Sequence, residues 1–313
     1  MDNLLFSVDA TLPIFVMMVL GVILQRLKII DDEFASKLNS FVFKVPLPIC
    51  VFIDLATEDF TSIWDTKFVL FCAIATILSI LIVIVLSLLI KKDLRGEFIQ
   101  VSYRSSAALI GIAFITNIYG NASIAALMIV GSVPIYNVVA VLALSLLKSG
   151  RTKLEITVVK ESVIGVITNP IIIAILLGII VSYIRIPIPI ILEKSLTSVG
   201  NMATPLGLIA MGASFKLGKA LSSIKPSVFA TFVKLVLLAT IFLPIAIHFG
   251  FRERELVTIL VMLGSATTVA CYVMARNMGH EGVLTTNVVM LTTLFSSVTL
   301  TGWLFTLRTL QYI

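Results

Sequence analysis

The sequence predicts an all-α polytopic membrane protein, and three observations carry that expectation. Of 313 residues, 59% are hydrophobic and 13% charged, and the mean hydropathy is +1.12, which excludes an ordinary water-soluble domain. The apolar residues gather into ten runs of spanning length, separated by short loops. Proline and glycine recur in the two halves of the chain at one fixed spacing. The net charge of +6 needs no nucleic-acid partner, because Lys and Arg collect in the cytoplasmic loops of membrane proteins.

The runs cover roughly 10–27, 34–56, 66–90, 96–119 and 122–147, then 162–184, 188–214, 226–249, 254–278 and 282–307. The second is interrupted by Lys44 and by Pro46-Leu47-Pro48, and the seventh carries Thr204-Pro205. The longest loop, 148–161, is short and basic, so no extramembranous domain fits. Residues 1–9 lack the basic start of a cleavable signal peptide, and the first apolar run reads as a span. Cys50, Cys72 and Cys271 lie inside apolar runs without metal or disulfide spacing and read as packing residues.

The loops sort by charge. Arg26, Lys28, Lys91, Lys92, Arg95, Lys148, Arg151, Lys153, Lys160, Lys216, Lys219, Lys225 and Arg276 fall on one side. Lys67, Arg185, Arg252, Arg254 and Arg308 fall on the other. The richer side is expected to be cytoplasmic, which puts both termini on the extracellular or periplasmic face of a plasma or inner membrane.

Pro13 pairs with Pro170, Gly21 with Gly178, Pro48 with Pro205 and Arg95 with Arg252, each pair 157 residues apart. The chain therefore divides into two five-span repeats, 1–157 and 158–313. Five is odd, so the second repeat enters the membrane from the opposite side. Inverted repeats of this kind are the plan of many secondary transporters.

The fourth span of each repeat is the stretch least suited to a plain helix: 102–121 (SYRSSAALIGIAFITNIYGN) and 264–277 (GSATTVACYVMARN). Interrupted segments at matching positions mark a midplane site, and broken helix ends favour an anion between them. Arg104 adds a full positive charge there, suited to a carboxylate; its bland reading is snorkelling to the interface. Ser105, Ser106, Gly111, Thr267 and Thr268 can loosen the helices or touch substrate, or else pack closely and bond to their own backbone. Asn137, behind Pro134, can cap the crossover or simply bond a neighbouring helix. Lys44 reads as a second cation for the site or as a structural partner of Asp54. Lys234 reads as a snorkelling lysine. Asn117 and Asn277 read as caps, and His248 and His280 as surface-proximal.

The stretches LPIFVMMVLGVILQRLKI, KVPLPIC, SSAALIGIAFITNIYG, VPIYNVV, NPIIIAILLGII, ATPLGLIAMGASF and YVMARNMG occur in this order over essentially the whole chain, and at these residues it resembles the auxin efflux carrier family. The resemblance implies ten helices in an inverted five-plus-five repeat, related to bile-acid symporters and sodium/proton antiporters. Spans one, two, six and seven would form a scaffold, often dimeric. Spans three to five and eight to ten would form a moving transport domain, with spans four and nine crossing as broken helices. The family often carries Asn-x-x-x-x-Gly-x-Pro in span four; the aligned residues here are Ser106, Gly111 and Ala113. In span nine Cys271 and Ala266 stand where prolines are usual.

The expected function is secondary transport of a small organic anion, a carboxylate such as malate, malonate or an auxin-like acid, with the lipid bilayer and a second copy as partners. The alternatives are a passive pore and a sodium-coupled symporter of another solute. No cofactor is expected beyond a coupling sodium ion or proton. Carboxylates sit near span ends (Asp54, Glu97, Glu255, Glu281), which disfavours a carboxylate proton relay. An enzyme is not expected: there are no paired carboxylates, no His/Cys ligand spacing and no nucleophile–base set.

Overall fold

The structure, a computed structural model, describes residues 16–57, 64–107, 115, 118–119, 123–147, 168–215 and 217–313. Gly111, Ala113, Asn117, Pro13 and the 148–161 loop lie outside them. The described residues are helical, without strands. In order they form α1 (Val16–Arg26), α2 (Asp32–Lys44), α3 (Pro46–Ala56), α4 (Thr66–Ser87), α5 (Arg95–Tyr103) and α6 (Ser123–Leu146). Then follow α7 (Pro170–Ile184), α8 (Ile190–Gly200), α9 (Ala203–Ala213), the short α10 (Leu217–Ser222), α11 (Ile224–His248), α12 (Glu253–Gly264), α13 (Ala270–Asn277) and α14 (Val283–Thr309). Among the described residues, five stretches are long and apolar enough to cross a membrane: Asp32–Ala56, Thr66–Ser87, Leu127–Leu146, Ile224–His248 and Val283–Thr309.

Local chemistry sets the helix ends. Asp31 opens α2 by accepting the Phe34 N–H at 2.7 Å, and Asp65 opens α4 by accepting that of Phe68 at 3.0 Å. Asn169 caps α7 through the Ile171 N–H, with Pro170 in the first turn. The α2 ladder stops at Val45, because Pro46 has no N–H to continue it. Pro48 is the third residue of α3, and Pro205 is the third residue of α9. In the first turn a missing N–H is no loss.

The 157-residue spacing reappears in the packing. A Cβ on Gly21 would stand 2.3 Å from the Ile209 carbonyl oxygen, and one on Gly178 would stand 3.0 Å from that of Phe52. Arg95 Nε donates to the Ile90 carbonyl at 3.0 Å, and Arg252 Nη1 donates to the Ile247 carbonyl at 2.8 Å. Ile209 and Phe52, and Ile247 and Ile90, are themselves 157 residues apart. Thus α1 lies against α9, and α7 lies against α3, each through a glycine with almost no clearance.

One apolar core joins residues from both halves, among them Val42, Phe98, Met128, Ile175, Leu260 and Val288. Outward faces are also apolar: Leu70, Ile74, Leu81 and Val85 on α4, and Leu176, Ile180 and Ile184 on α7. A helix apolar all round belongs in a bilayer or a large core. Glu97, read from sequence as a residue at a span entrance, is in fact 1% exposed. Its carboxylate accepts the N–H groups of Gly282 and Thr285 at 3.0 Å each and the Thr285 hydroxyl at 2.8 Å, satisfying the start of α14. His280 is likewise buried, with Nε2 2.8 Å from the Leu144 carbonyl oxygen, whereas His248 is exposed.

Candidate functional site

Both loosened helices are broken, although neither carries a proline at the break. The last helical residue of α5 is Tyr103, and Arg104 is extended (φ −83, ψ 122). The last of α12 is Gly264, Ser265 is extended (φ −79, ψ 165), and helix resumes at Ala270. The two breaks meet. Ser105 pairs antiparallel with Thr267, and the Ser106 N–H donates to the Ala266 carbonyl at 2.9 Å.

A helix broken inside a membrane frees backbone groups that have no water to bond. Side chains take that role here. Thr267 Oγ1 donates to the Val101 carbonyl at 2.8 Å, and its N–H is accepted by Thr292 Oγ1 at 3.0 Å. Gln100 Nε2 donates to the Cys271 carbonyl at 3.0 Å. The Tyr136 hydroxyl donates to the Met262 carbonyl at 3.3 Å, and Ser105 Oγ donates to the same oxygen. Tyr103, at the end of α5, donates to the Tyr136 carbonyl at 3.0 Å. The bonds to Val101 and Met262 do what a proline would otherwise force, by giving carbonyls in the last turns of α5 and α12 an alternative to the helical ladder.

Beside the breaks lies a cavity of about 90 Å³. Arg104, Ser105, Ser106, Asn137 and Thr268 line it, and so do Val42, Leu47, Val51, Val133, Val269 and Val273. Arg104 is only 4% exposed, so it does not snorkel. Its Nη2 donates to Asn137 Oδ1 at 2.5 Å and its Nη1 to Met274 Sδ at 2.7 Å. Asn137 is oriented in turn by its own donation to the Val133 carbonyl at 2.9 Å. Neither partner of the guanidinium neutralises its charge. The first residues of α13 also border the cavity, and a helix N-terminus adds N–H groups and a partial positive charge.

The structure therefore brings together Arg104, Ser105, Ser106, Asn137 and Thr268. It places Thr267 elsewhere, fully engaged in holding α5 and α14 to the break. Lys44 is a correction: it ends α2 exposed to the outside and does not line the cavity. Successive helical residues turn about 100°, so Val42, on the buried face, leaves Lys44 facing out.

Sequence reasoning passed over two residues. Asp54 was placed at the close of span two, yet it lines this same cavity from α3, and the Cys50 thiol lies 3.8 Å from its Oδ2. Its spacing from Leu47 and Val51, seven and three residues, puts all three on one helix face and was the available signal. Lys234, read as snorkelling, is 0% exposed and ends at the breaks.

The described fold and site define a helical, multi-pass membrane protein with two broken helices meeting at a buried cavity. A family model described as membrane transport protein matches residues 6–304, and the chain belongs to that family of membrane transporters, the auxin efflux carrier family. A comparison with curated proteins gives no match.

Proposed function

We propose that the protein is a secondary carrier of small organic anions, built as ten spans in two inverted repeats, 1–157 and 158–313. The proposed motion carries the broken helices and their neighbours (spans three to five and eight to ten) past a scaffold of spans one, two, six and seven. Support for the repeat comes from the paired contacts 157 residues apart: Gly21 with Gly178 and Arg95 with Arg252, each meeting equivalent backbone carbonyls. Support for the scaffold comes from the near-contact of α1 with α9 and of α7 with α3. In this reading the protein is a homodimer through those scaffold helices, in a plasma or inner membrane, with both termini outside.

The observation that carries the anion reading is Arg104: a buried guanidinium in extended backbone, facing a cavity also bordered by the start of α13. A guanidinium grips a carboxylate through two parallel bonds. Ser106 and Thr268 add hydroxyls, and the valines suit a short apolar body. Asp54 on the α3 wall narrows the solute further. It favours one carboxylate on Arg104 together with a hydrogen-bond donor, such as a hydroxyl or an indole N–H, turned towards Asp54. Simple dicarboxylates without such a donor fit less well.

Counterflow in proteoliposomes tests this. Labelled hydroxy acids or indole acids should exchange saturably in wild type. Arg104→Ala should lower uptake at limiting substrate about 10- to 100-fold, the loss expected for a hydrogen-bonded charge pair worth about 1.5–3 kcal/mol. Unchanged uptake in the variant, or an ohmic current in place of counterflow, would contradict the proposal.

A further inference from the structure

Lys234 lies in the middle of the α11 stretch, where residues Val233–Leu237 form a π turn. A π turn inserts one residue into the α-helical phase and commonly marks a functional position. Lys234 points inward from this turn and is fully buried. The carbonyl of Leu235, within the turn, accepts the Trp303 indole N–H at 3.2 Å, so the turn is held from α14.

The amine ends among oxygens. Nζ is 2.7 Å from Ser105 Oγ, 2.5 Å from the Leu263 carbonyl oxygen and 3.4 Å from that of Met262. An ammonium has three donors, and here it meets three neutral acceptors. Two of these are among the last carbonyls of α12, which have no ladder partner and lie at the negative end of the helix dipole. The third belongs to the other broken helix. In carriers with broken helices, the freed carbonyls and half-helix C-terminal ends are where coupling cations bind.

We propose that the Lys234 ammonium is a built-in cation occupying a monovalent-cation position at the meeting of the two breaks, and that this position takes sodium only when the amine is removed. The tethered charge holds the α12 end and Ser105 together without a dissolved ion, so solute binding does not wait for sodium. The inference rests on the breaks being the transport site, but its test reads cation binding directly. A failed anion assay and a failed cation assay are therefore separate outcomes.

The test is a thermal titration of the full-length protein in detergent, with sodium chloride against choline chloride at equal concentration. Wild type should show no sodium-specific change in apparent Tm. Lys234→Ala opens space among the same oxygens and should gain a saturable, sodium-specific rise. At tenfold above half-saturation the rise should be about 2–4 °C. Ser105→Ala keeps the ammonium and should stay indifferent to sodium. A saturable sodium rise in wild type or in Ser105→Ala overturns the proposal, and so does a folded Lys234→Ala protein that ignores sodium. If Lys234→Ala does not fold, wild type and Ser105→Ala decide the matter. Sodium-independent counterflow by wild type is the matching expectation in proteoliposomes.

Discussion

The glycine contacts between α1 and α9 and between α7 and α3 give a graded prediction. In Gly21→Ala the new methyl would stand 2.3 Å from the Ile209 carbonyl oxygen, which is backbone and cannot rotate away. An ordinary contact is about 3.5 Å, so α1 and α9 must part by roughly 1 Å. That parting also disturbs the opposite side of the seam, where Gly212 faces the Met18 carbonyl oxygen just as closely. Overpacking of this kind costs about 1–3 kcal/mol, and the absence of a yielding side chain puts Gly21→Ala at the upper end. Gly178→Ala meets Leu55 Cβ and the Phe52 carbonyl oxygen, each at 3.0 Å, and needs a much smaller shift. Its cost is partly offset by the gain of about 0.5–1 kcal/mol for Ala over Gly in a helix. Gly302 in α14 has nothing within 4 Å, so Gly302→Ala should be neutral or stabilising. Apparent Tm values in detergent should therefore fall most for Gly21→Ala, by several degrees, less for Gly178→Ala, and not at all for Gly302→Ala. A Gly21→Ala protein as stable as wild type would refute the close approach of α1 and α9.

Three further outcomes are expected. Glu97→Gln replaces a buried carboxylate that accepts three bonds, so stability should fall by about 2 kcal/mol, measured as a lower apparent Tm. Lys44→Ala should leave counterflow within about twofold of wild type, because its side chain faces outward, while Arg104→Ala does not. Cys50 is half-buried and lines the cavity, whereas Cys72 and Cys271 are buried. A small membrane-permeant thiol reagent should therefore label Cys50 alone, and a bound carboxylate should slow it; labelling of Cys271 at a similar rate would contradict the packing around the break.

Much of this fold was legible in the residues. The interruption of the second run at Pro46 and the shared duty of the paired Gly21 and Gly178 were both readable, because each depends on local chemistry. The two breaks were also legible, even without prolines, since Ser105-Ser106 and Ser265 through Thr268 offer hydroxyls and no uniform apolar run. What escaped was set by helix phase. Lys44 and Asp54 lie on consecutive helices separated by the Val45 break, and the turn there decides which of them faces the cavity. The π turn at Val233–Leu237 decides where Lys234 points, and nothing in that run of Val and Leu announces an inserted residue. Thr267 and Thr268 are neighbours in sequence, yet Thr267 ties Val101 and Thr292 to the break while Thr268 borders the cavity and accepts the Ala270 N–H, a division of roles that two adjacent threonines do not announce.

The most direct test of the central claim, an anion site at Arg104, is a thermal-shift comparison of wild type and Arg104→Ala with carboxylic acids and their neutral amides. A ligand that binds only the folded protein raises the apparent midpoint by mass action. A hydroxy acid or indole acid should raise the wild-type midpoint, its amide should not, and the shift should vanish in Arg104→Ala. Equal shifts from acid and amide, or an acid shift that survives in Arg104→Ala, would contradict the claim.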